Sequence, residues 1–295
     1  MQLGTTVAGG NSAGPGINQL HYPQSLYVDD DENVYVADFS NHRIMQWEKD
    51  AKVGQVVAGG QGEGDRNDQL NNPTSVILDK KTNCLIICDS KNKRVVRWAR
   101  ESGTSGETII SNIACWGVAL DNDGYLYVSD IGKHEVRRWK IGETTDGTLV
   151  AGGNGKGNRF NQLNCPYYIF VDQDQSVYVS DYSNHRVMKW MKGAREGIVV
   201  AGNRGSGNAL NRLAYPRGIL VDQLETVYVA DQYNYRVVRW LKGAIAGSVV
   251  VGGNGIGSQA DQQSNPWNLS FDRQNNLYVA DNGNHRIQKF PIESD

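Results

Sequence analysis

The stretch VYVSDYSNHRVMKW, residues 177–190, sets His185 between Asn184 and Arg186, four residues after Asp181. A carboxylate, an imidazole and a guanidinium this close together suit a chemical site, but they equally suit the turn between two strands. The phrase keeps returning, as VYVADFSNHRIMQW (34–47), LIICDSKNKRVVRW (85–98), LYVSDIGKHEVRRW (126–139), VYVADQYNYRVVRW (227–240) and LYVADNGNHRIQKF (277–290). The shared aspartates Asp38, Asp89, Asp130, Asp181, Asp231 and Asp281 are 51, 41, 51, 50 and 50 residues apart. A period near 50 residues, made of short apolar runs and Gly-rich breaks, reads as a propeller or a related array of small sheets. Helical solenoids are excluded because no stretch sustains a 3.6-residue period.

Each unit holds four strand-like runs, seen at 166–202 as PYYIFVD, SVYVSD, HRVMKW and GIVVAG. The first two are almost continuously apolar, as expected of strands covered on both faces. The third alternates and ends in Trp47, Trp98, Trp139, Trp190, Trp240 or Phe290. DNDG at 121–124 has the chemistry of a tight turn, and it lacks the remaining ligands of a calcium loop.

Pro, an apolar strand, Asp, V/L-Y-V-A/S-D, then N-H-R-V/I and an aromatic: this order resembles the NHL repeat over essentially the whole chain. The resemblance implies an all-β fold, a six-bladed β-propeller of four-stranded antiparallel blades around a central channel, with residues 1–295 as one domain. The ends fit closure. The sixth copy, from PWNLSFD to HRIQKF, supplies three strands, while TTVAGG at 5–10 is a fourth-strand sequence with no blade before it. The N-terminal strand is therefore predicted to join the C-terminal blade, which removes the sheet edge.

The repeat also settles the opening phrase. An Asp five residues ahead of an Arg occurs in five units, which suits a hairpin held by a charge-assisted hydrogen bond. His42, His134, His185 and His285 are replaced by Lys93 and Tyr235 in the other two, so the histidine is read as structural.

Thirty basic against 32 acidic residues give a net charge of -2, which favours neither nucleic acid nor anionic membrane as a partner. No apolar run is long enough to span a bilayer, and MQLGTTVAGG lacks the regions of a signal peptide, so a soluble chain is expected, its compartment unassigned. The four cysteines include no CxxC pair for zinc. Cys84 and Cys88, four apart in one strand, are expected to be free thiols. Cys115 and Cys165 hold similar places in neighbouring repeats and are read as buried small residues, with a disulfide between them as the alternative.

What breaks the repeat is free to serve function, and three breaks stand out. The residue after the repeat's proline varies as Gln24, Thr74, Trp116, Tyr167, Arg217 and Trp267. In the family's geometry these six side chains ring one mouth of the channel, where aromatic faces and a guanidinium suit a peptide, a sugar or another planar ligand. The alternative is that they plug the channel by packing. The second break lies in the Gly-rich connections. Gly10–Pro23, Gly60–Pro73, Gly153–Pro166, Asn203–Pro216 and Gly253–Pro266 each span 13 residues, but between units two and three the connection shrinks to TIISNIACWG. Unit three also has Cys115 for Pro and Glu135 for Arg, which predicts a notch beside Trp116. The third break is a row of basic residues, Arg97, Arg138, Lys189, Arg239 and Lys289, with Gln46 in the first unit. Some NHL domains of translational repressors bind single-stranded RNA on a positive face. Here the row falls on strand three, away from the loop face, and reads as solvated edge cations.

The ring also bears on catalysis. The amidating lyase similar to NHL propellers places metal-binding histidines directly after the inner-strand prolines, and lactonase-like propellers gather acidic and amide ligands around a channel metal, whereas this ring has no histidine and no carboxylate. No catalytic residue, metal or cofactor is assigned. The expected function is a monomeric, non-catalytic propeller that binds a protein, peptide or glycan at the loop face and channel mouth. A lyase or hydrolase at that mouth, and a single-stranded RNA binder, are the alternatives.

Overall fold

The computed structural model describes residues 2–100, 103–142, 146–202 and 204–292; Asn203, at the start of one 13-residue connection, lies outside them. Six four-stranded antiparallel sheets form the blades of a propeller. The fourth blade is typical: Pro166–Val171 lines the channel, followed outward by Val177–Asp181, Arg186–Trp190 and Ile198–Gly202. Its second strand is buried at every position, because both faces are covered by neighbouring blades. Exposure returns in the outermost strand, where Ile198 faces solvent.

The core lies between consecutive blades. Tyr35, Ala37 and Ile44 of blade one pack against Val76, Ile87 and Trp98 of blade two. The closing interface is of the same kind: Ala8, Ala280 and Ile287 meet Leu26, Val36 and Trp47. Thr5–Gly9 pairs with Arg286–Phe290 in the register Thr5↔Lys289, Thr6↔Gln288, Ala8↔Ile287 and Gly9↔Arg286. The N-terminal strand thus completes the sixth blade, and no sheet is left without its fourth strand.

In five blades the recurring phrase places a three-residue 3-10 turn between strands two and three, and in blade three a plain turn takes its place. In blade four, Asp181 accepts the Asn164 backbone N–H at one oxygen, and Asn184 and Arg186 donate to the other, the latter at 2.7 Å. Asp38–Arg43, Asp89–Arg94, Asp231–Arg236 and Asp281–Arg286 repeat the pair at 2.7–2.8 Å. Each arginine then reaches beyond the hairpin to pin the Gly-rich connection entering its own blade. Arg43, for example, donates to the carbonyls of Pro15, Gly16 and Gln19. Blade three has no such connection to hold, which accounts for its exception: Glu135 instead accepts from Arg137 at 2.6 Å.

His185 caps the turn in the left-handed conformation, φ 55°, and its Nδ1 accepts the backbone N–H of Tyr215 in the next blade at 3.2 Å. His42, His134 and His285 do the same for Asn72, Cys165 and Tyr22. The histidine is a blade-to-blade strut, and its bond offsets the strain of a non-glycine residue at positive φ. Beside it, Gly202 cannot be replaced, since φ is +78° and a Cβ there would lie 2.5 Å from the His185 carbonyl oxygen.

The cysteines correct the sequence reading. Cys88 is not free: it is bonded to Cys115, with the Cα atoms 5.9 Å apart, while Cys84 and Cys165 carry free thiols. Cys88 precedes the repeat aspartate in blade two and Cys115 stands at the proline position of blade three; other blades have Ala or Ser and Pro at these places. Partners in adjacent blades at different repeat positions meet across the interface, which a comparison of like positions misses. The bridge joins the two blades whose long connection is missing, where Ile113 also donates its backbone N–H to the Lys93 carbonyl.

Candidate ligand-binding site

A bulge at the start of each inner strand shapes the candidate site. The register with strand two slips directly after Pro23, Pro73, Cys115, Pro166, Pro216 and Pro266. A bulged residue leaves the ladder and its side chain is re-aimed. The slip frees the six variable residues from pairing at the channel end that the turns and Gly-rich connections surround.

Four of the six come together. Trp116 stacks on Tyr167, with ring centroids 4.4 Å apart and planes at 10°. The Arg217 guanidinium lies 3.7 Å from the Trp267 centroid and 4.3 Å from that of Tyr167. Thr74 and Gln24 do not join this group. Thr74 is buried and donates to the Trp116 carbonyl at 2.8 Å, a packing role, whereas Gln24 is buried with its side-chain oxygen unpartnered.

The structure adds residues that the sequence reading passed over. Tyr182 stacks on Tyr167 at 4.4 Å, and the row continues through Tyr215 and Tyr233 at 4.9 Å each. Trp116, Tyr167, Tyr182, Tyr215 and Tyr233 thus form an aromatic arc across blades three to five, running from the channel to the exposed Tyr233. Tyr182 and Gln232 both follow the repeat aspartate, a position that varies as Phe39, Ser90, Ile131, Tyr182, Gln232 and Asn282. The filter applied to the position after the proline would have found them here.

Arg217 is the centre of the cluster and its electrostatic anomaly. It is 5% exposed, and the other buried arginines, Arg43, Arg94, Arg186, Arg236 and Arg286, are each paired to an aspartate. Arg217 has no carboxylate partner among the described residues. Its Nε donates to Gln232 Oε1 at 2.7 Å and its Nη2 to the Tyr182 hydroxyl at 3.3 Å; the Tyr167 hydroxyl also approaches the guanidinium without reaching hydrogen-bonding geometry, and Nη1 donates to nothing. Burial holds its pKa below the usual arginine value. Burying a guanidinium costs several kcal/mol. Cation–π contact at about 2 kcal/mol per desolvated ring and the Gln232 bond offset much of this, but unsatisfied Nη1 hydrogens still cost about 1–3 kcal/mol. The indole N–H groups of Trp116 and Trp267 are likewise buried and unpartnered. Both approach the Tyr168 hydroxyl without reaching hydrogen-bonding geometry.

Tyr168 closes the channel behind this cluster. Its buried ring crosses from blade four, and its hydroxyl lies 2.8 Å from the Gln24 carbonyl and 3.1 Å from that of Thr74. Burial pushes its pKa up, so it remains a neutral donor. On the far side a cavity of about 660 Å³ opens to the opposite face, walled by Ile77, Leu120, Phe170, Leu220 and Phe271.

The basic row lies elsewhere, and three of its five cations are ion-paired. Lys189 bonds Glu225 at 3.0 Å, Lys289 bonds Glu32 at 2.8 Å, and Arg97 bonds Glu107 at 2.6 Å. Arg138 packs over Tyr125 at 4.6 Å. Among the described residues, no three His, Cys, Asp or Glu side chains stand close enough to hold a metal, and no helix is long and apolar enough to cross a membrane.

The NHL repeat family matches residues 20–47 and 264–290, at the two sides of the ring closure. No curated protein matches the chain. Among solved structures, a protein of unknown function from Bacteroides thetaiotaomicron is similar at TM-score 0.78 and 18% identity, covering 99% of this chain and 76% of its own. An auxiliary nutrient binding protein from the same organism is similar at TM-score 0.74 and 16% identity, covering 98% and 76%. Virginiamycin B lyase from Staphylococcus aureus is similar at TM-score 0.58 and 12% identity, covering 95% and 87%. At these identities the likeness is one of fold. Six copies of the phrase in register, NHL repeat matches in the first and last blades and the closed ring of four-stranded sheets make the chain a six-bladed β-propeller that carries NHL repeats at 20–47 and 264–290.

Proposed function

We propose that this protein is a non-catalytic, single-domain, monomeric binding propeller that recognises a protein, peptide or glycan on its loop face, at the channel mouth. One observation carries the reading: the bulged positions of blades three to six, with the turns and the connection beside them, gather an aromatic arc and a buried, charge-uncompensated arginine at that mouth, unlike the hairpin ion pairs, which repeat around the ring. Aromatic and arginine side chains dominate binding hot spots because they offer large contact area with directional polar edges. The exposed Tyr233 and the partly exposed Tyr182 and Tyr215 leave contact surface outside the plug. The nutrient-binding description of one structural neighbour is in keeping with such a role.

The enzyme alternative lacks a histidine or carboxylate at any of the six mouth positions, and the RNA alternative needs a row of free cations where Arg97, Lys189 and Lys289 are ion-paired. The bridge between Cys88 and Cys115 suits an oxidising compartment. Glycan and peptide arrays probed with the native chain and with Tyr182→Ala test the reading. Binding that Tyr182→Ala weakens supports it, and binding indifferent to Tyr182→Ala, Trp116→Ala and Trp267→Ala removes the mouth as the site.

A further inference from the structure

We infer that the channel mouth is an anion receptor, and that the ligand brings a carboxylate to the Arg217 guanidinium. This rests on the binding reading above and names the chemistry of the ligand. Five buried arginines in the same molecule show how the fold treats a guanidinium it keeps for structure: each has an aspartate at 2.7–2.8 Å and donates from Nη2 to backbone carbonyls of its connection, and Arg43, Arg94, Arg236 and Arg286 donate from Nη1 to another. Arg217 has a carboxamide and a phenol instead, and Nη1 is left without an acceptor. Its surroundings add donors and no negative charge, for the Trp116 and Trp267 indole N–H groups are also unpartnered and buried.

The geometry favours a carboxylate over a rounder anion. Gln232 occupies Nε, so the open side of the fork is the end-on pair, Nη1 and Nη2. The 3.3 Å contact from Nη2 to the Tyr182 hydroxyl is the weakest bond the guanidinium makes. A carboxylate that displaces this hydroxyl engages Nη1 and Nη2 together, the planar two-point match that arginine makes and lysine does not. The partly exposed Tyr182 is then the element that yields, shifting along the arc toward Tyr215. An acidic sugar and an acidic peptide residue both supply this group.

The test is calorimetric titration of the native chain at fixed ionic strength with matched pairs: galacturonate against galactose, and N-acetylglutamate against N-acetylglutamine, with inorganic phosphate as a further arm. The inference expects saturable binding by at least one carboxylate, weakened about tenfold or more in its neutral counterpart, and a comparable loss in Arg217→Lys. Which carboxylate binds identifies the source. Tighter binding by phosphate overturns the assignment to a carboxylate. Absence of saturation by either carboxylate in the native chain overturns the inference without appeal to a variant, so a folding defect in Arg217→Lys cannot shelter it. Array ligands bound through Tyr182 with no preference for acidic members also overturn it, while leaving the binding reading in place.

Discussion

Breaking the Cys88–Cys115 bridge should loosen the ring between blades two and three more than any other cysteine change. The bridge closes 27 residues of chain. Restricting a loop of that length in the unfolded ensemble contributes about 3.5 kcal/mol by chain entropy. A chain of 295 residues unfolds with an entropy of roughly 0.6 kcal/mol/K at its midpoint, so the loss corresponds to about 6 °C in Tm. Cys88→Ala is the cleanest perturbation, because Ala37, Ala230 and Ala280 already fill the equivalent place and little packing is lost. Calorimetry of the native chain, Cys88→Ala and the chain with reductant should show the last two melting together, some 6 °C below the first. Cys84→Ala and Cys165→Ala should melt with the native chain. Thiol titration of the unfolded, non-reduced protein should find two thiols, those of Cys84 and Cys165. Four thiols, or a Cys88→Ala midpoint equal to the native one, would refute the reasoning.

Deleting residues 1–10 removes four ladder pairings at about 1 kcal/mol each and uncovers the edge of Arg286–Phe290, so a fall in Tm and a tendency to associate are expected; an unchanged Tm sinks the closure. Burial holds the pKa of His134, His185 and His285 below the ordinary 6.5, assisted by Lys156 at His134 and His21 at His285. Their struts need an unprotonated Nδ1, so the stability they contribute is complete above about pH 6.5 and is lost as pH falls through the lower folded values. Denaturant midpoints between pH 7.5 and 5 should therefore decline, less steeply in His185→Gln, and a flat profile contradicts the struts. His185→Ala itself should cost only about 1 kcal/mol and leave ligand binding intact. Trp116→Ala and Trp267→Ala should each weaken an identified ligand by roughly 1–3 kcal/mol, whereas a mere plug would lose stability with affinity preserved.

The blades were legible because the same phrase is written six times, and a period of about 50 residues leaves few folds to consider. Closure was legible for the same reason, since TTVAGG reads as a fourth strand without a blade. Less visible was anything that depends on which repeat position faces which across a blade interface. The Cys88–Cys115 bridge joins unlike positions of adjacent units, and His185 bonds Tyr215, so neither follows from aligning the repeats. The site was half legible. The position after the proline revealed Trp116, Tyr167, Arg217 and Trp267 as variable and chemically rich, yet Thr74 varies equally and only packs. Tyr182 and Gln232 come from a second variable position that the bulge and the 3-10 turn bring beside the first. Arg217 could not be singled out from sequence, because its distinction is the absence of an aspartate in space.

The seven tryptophans make the most direct test possible within the native chain, since Trp47, Trp98, Trp139, Trp190 and Trp240 end third strands and only Trp116 and Trp267 stand at the mouth. Their indole N–H resonances can be followed while a ligand from the arrays, or the carboxylate that binds, is titrated to saturation. Large shifts confined to Trp116 and Trp267, with the five blade tryptophans still, are the expected result. Saturation with Trp116 and Trp267 unmoved would contradict a ligand at the channel mouth.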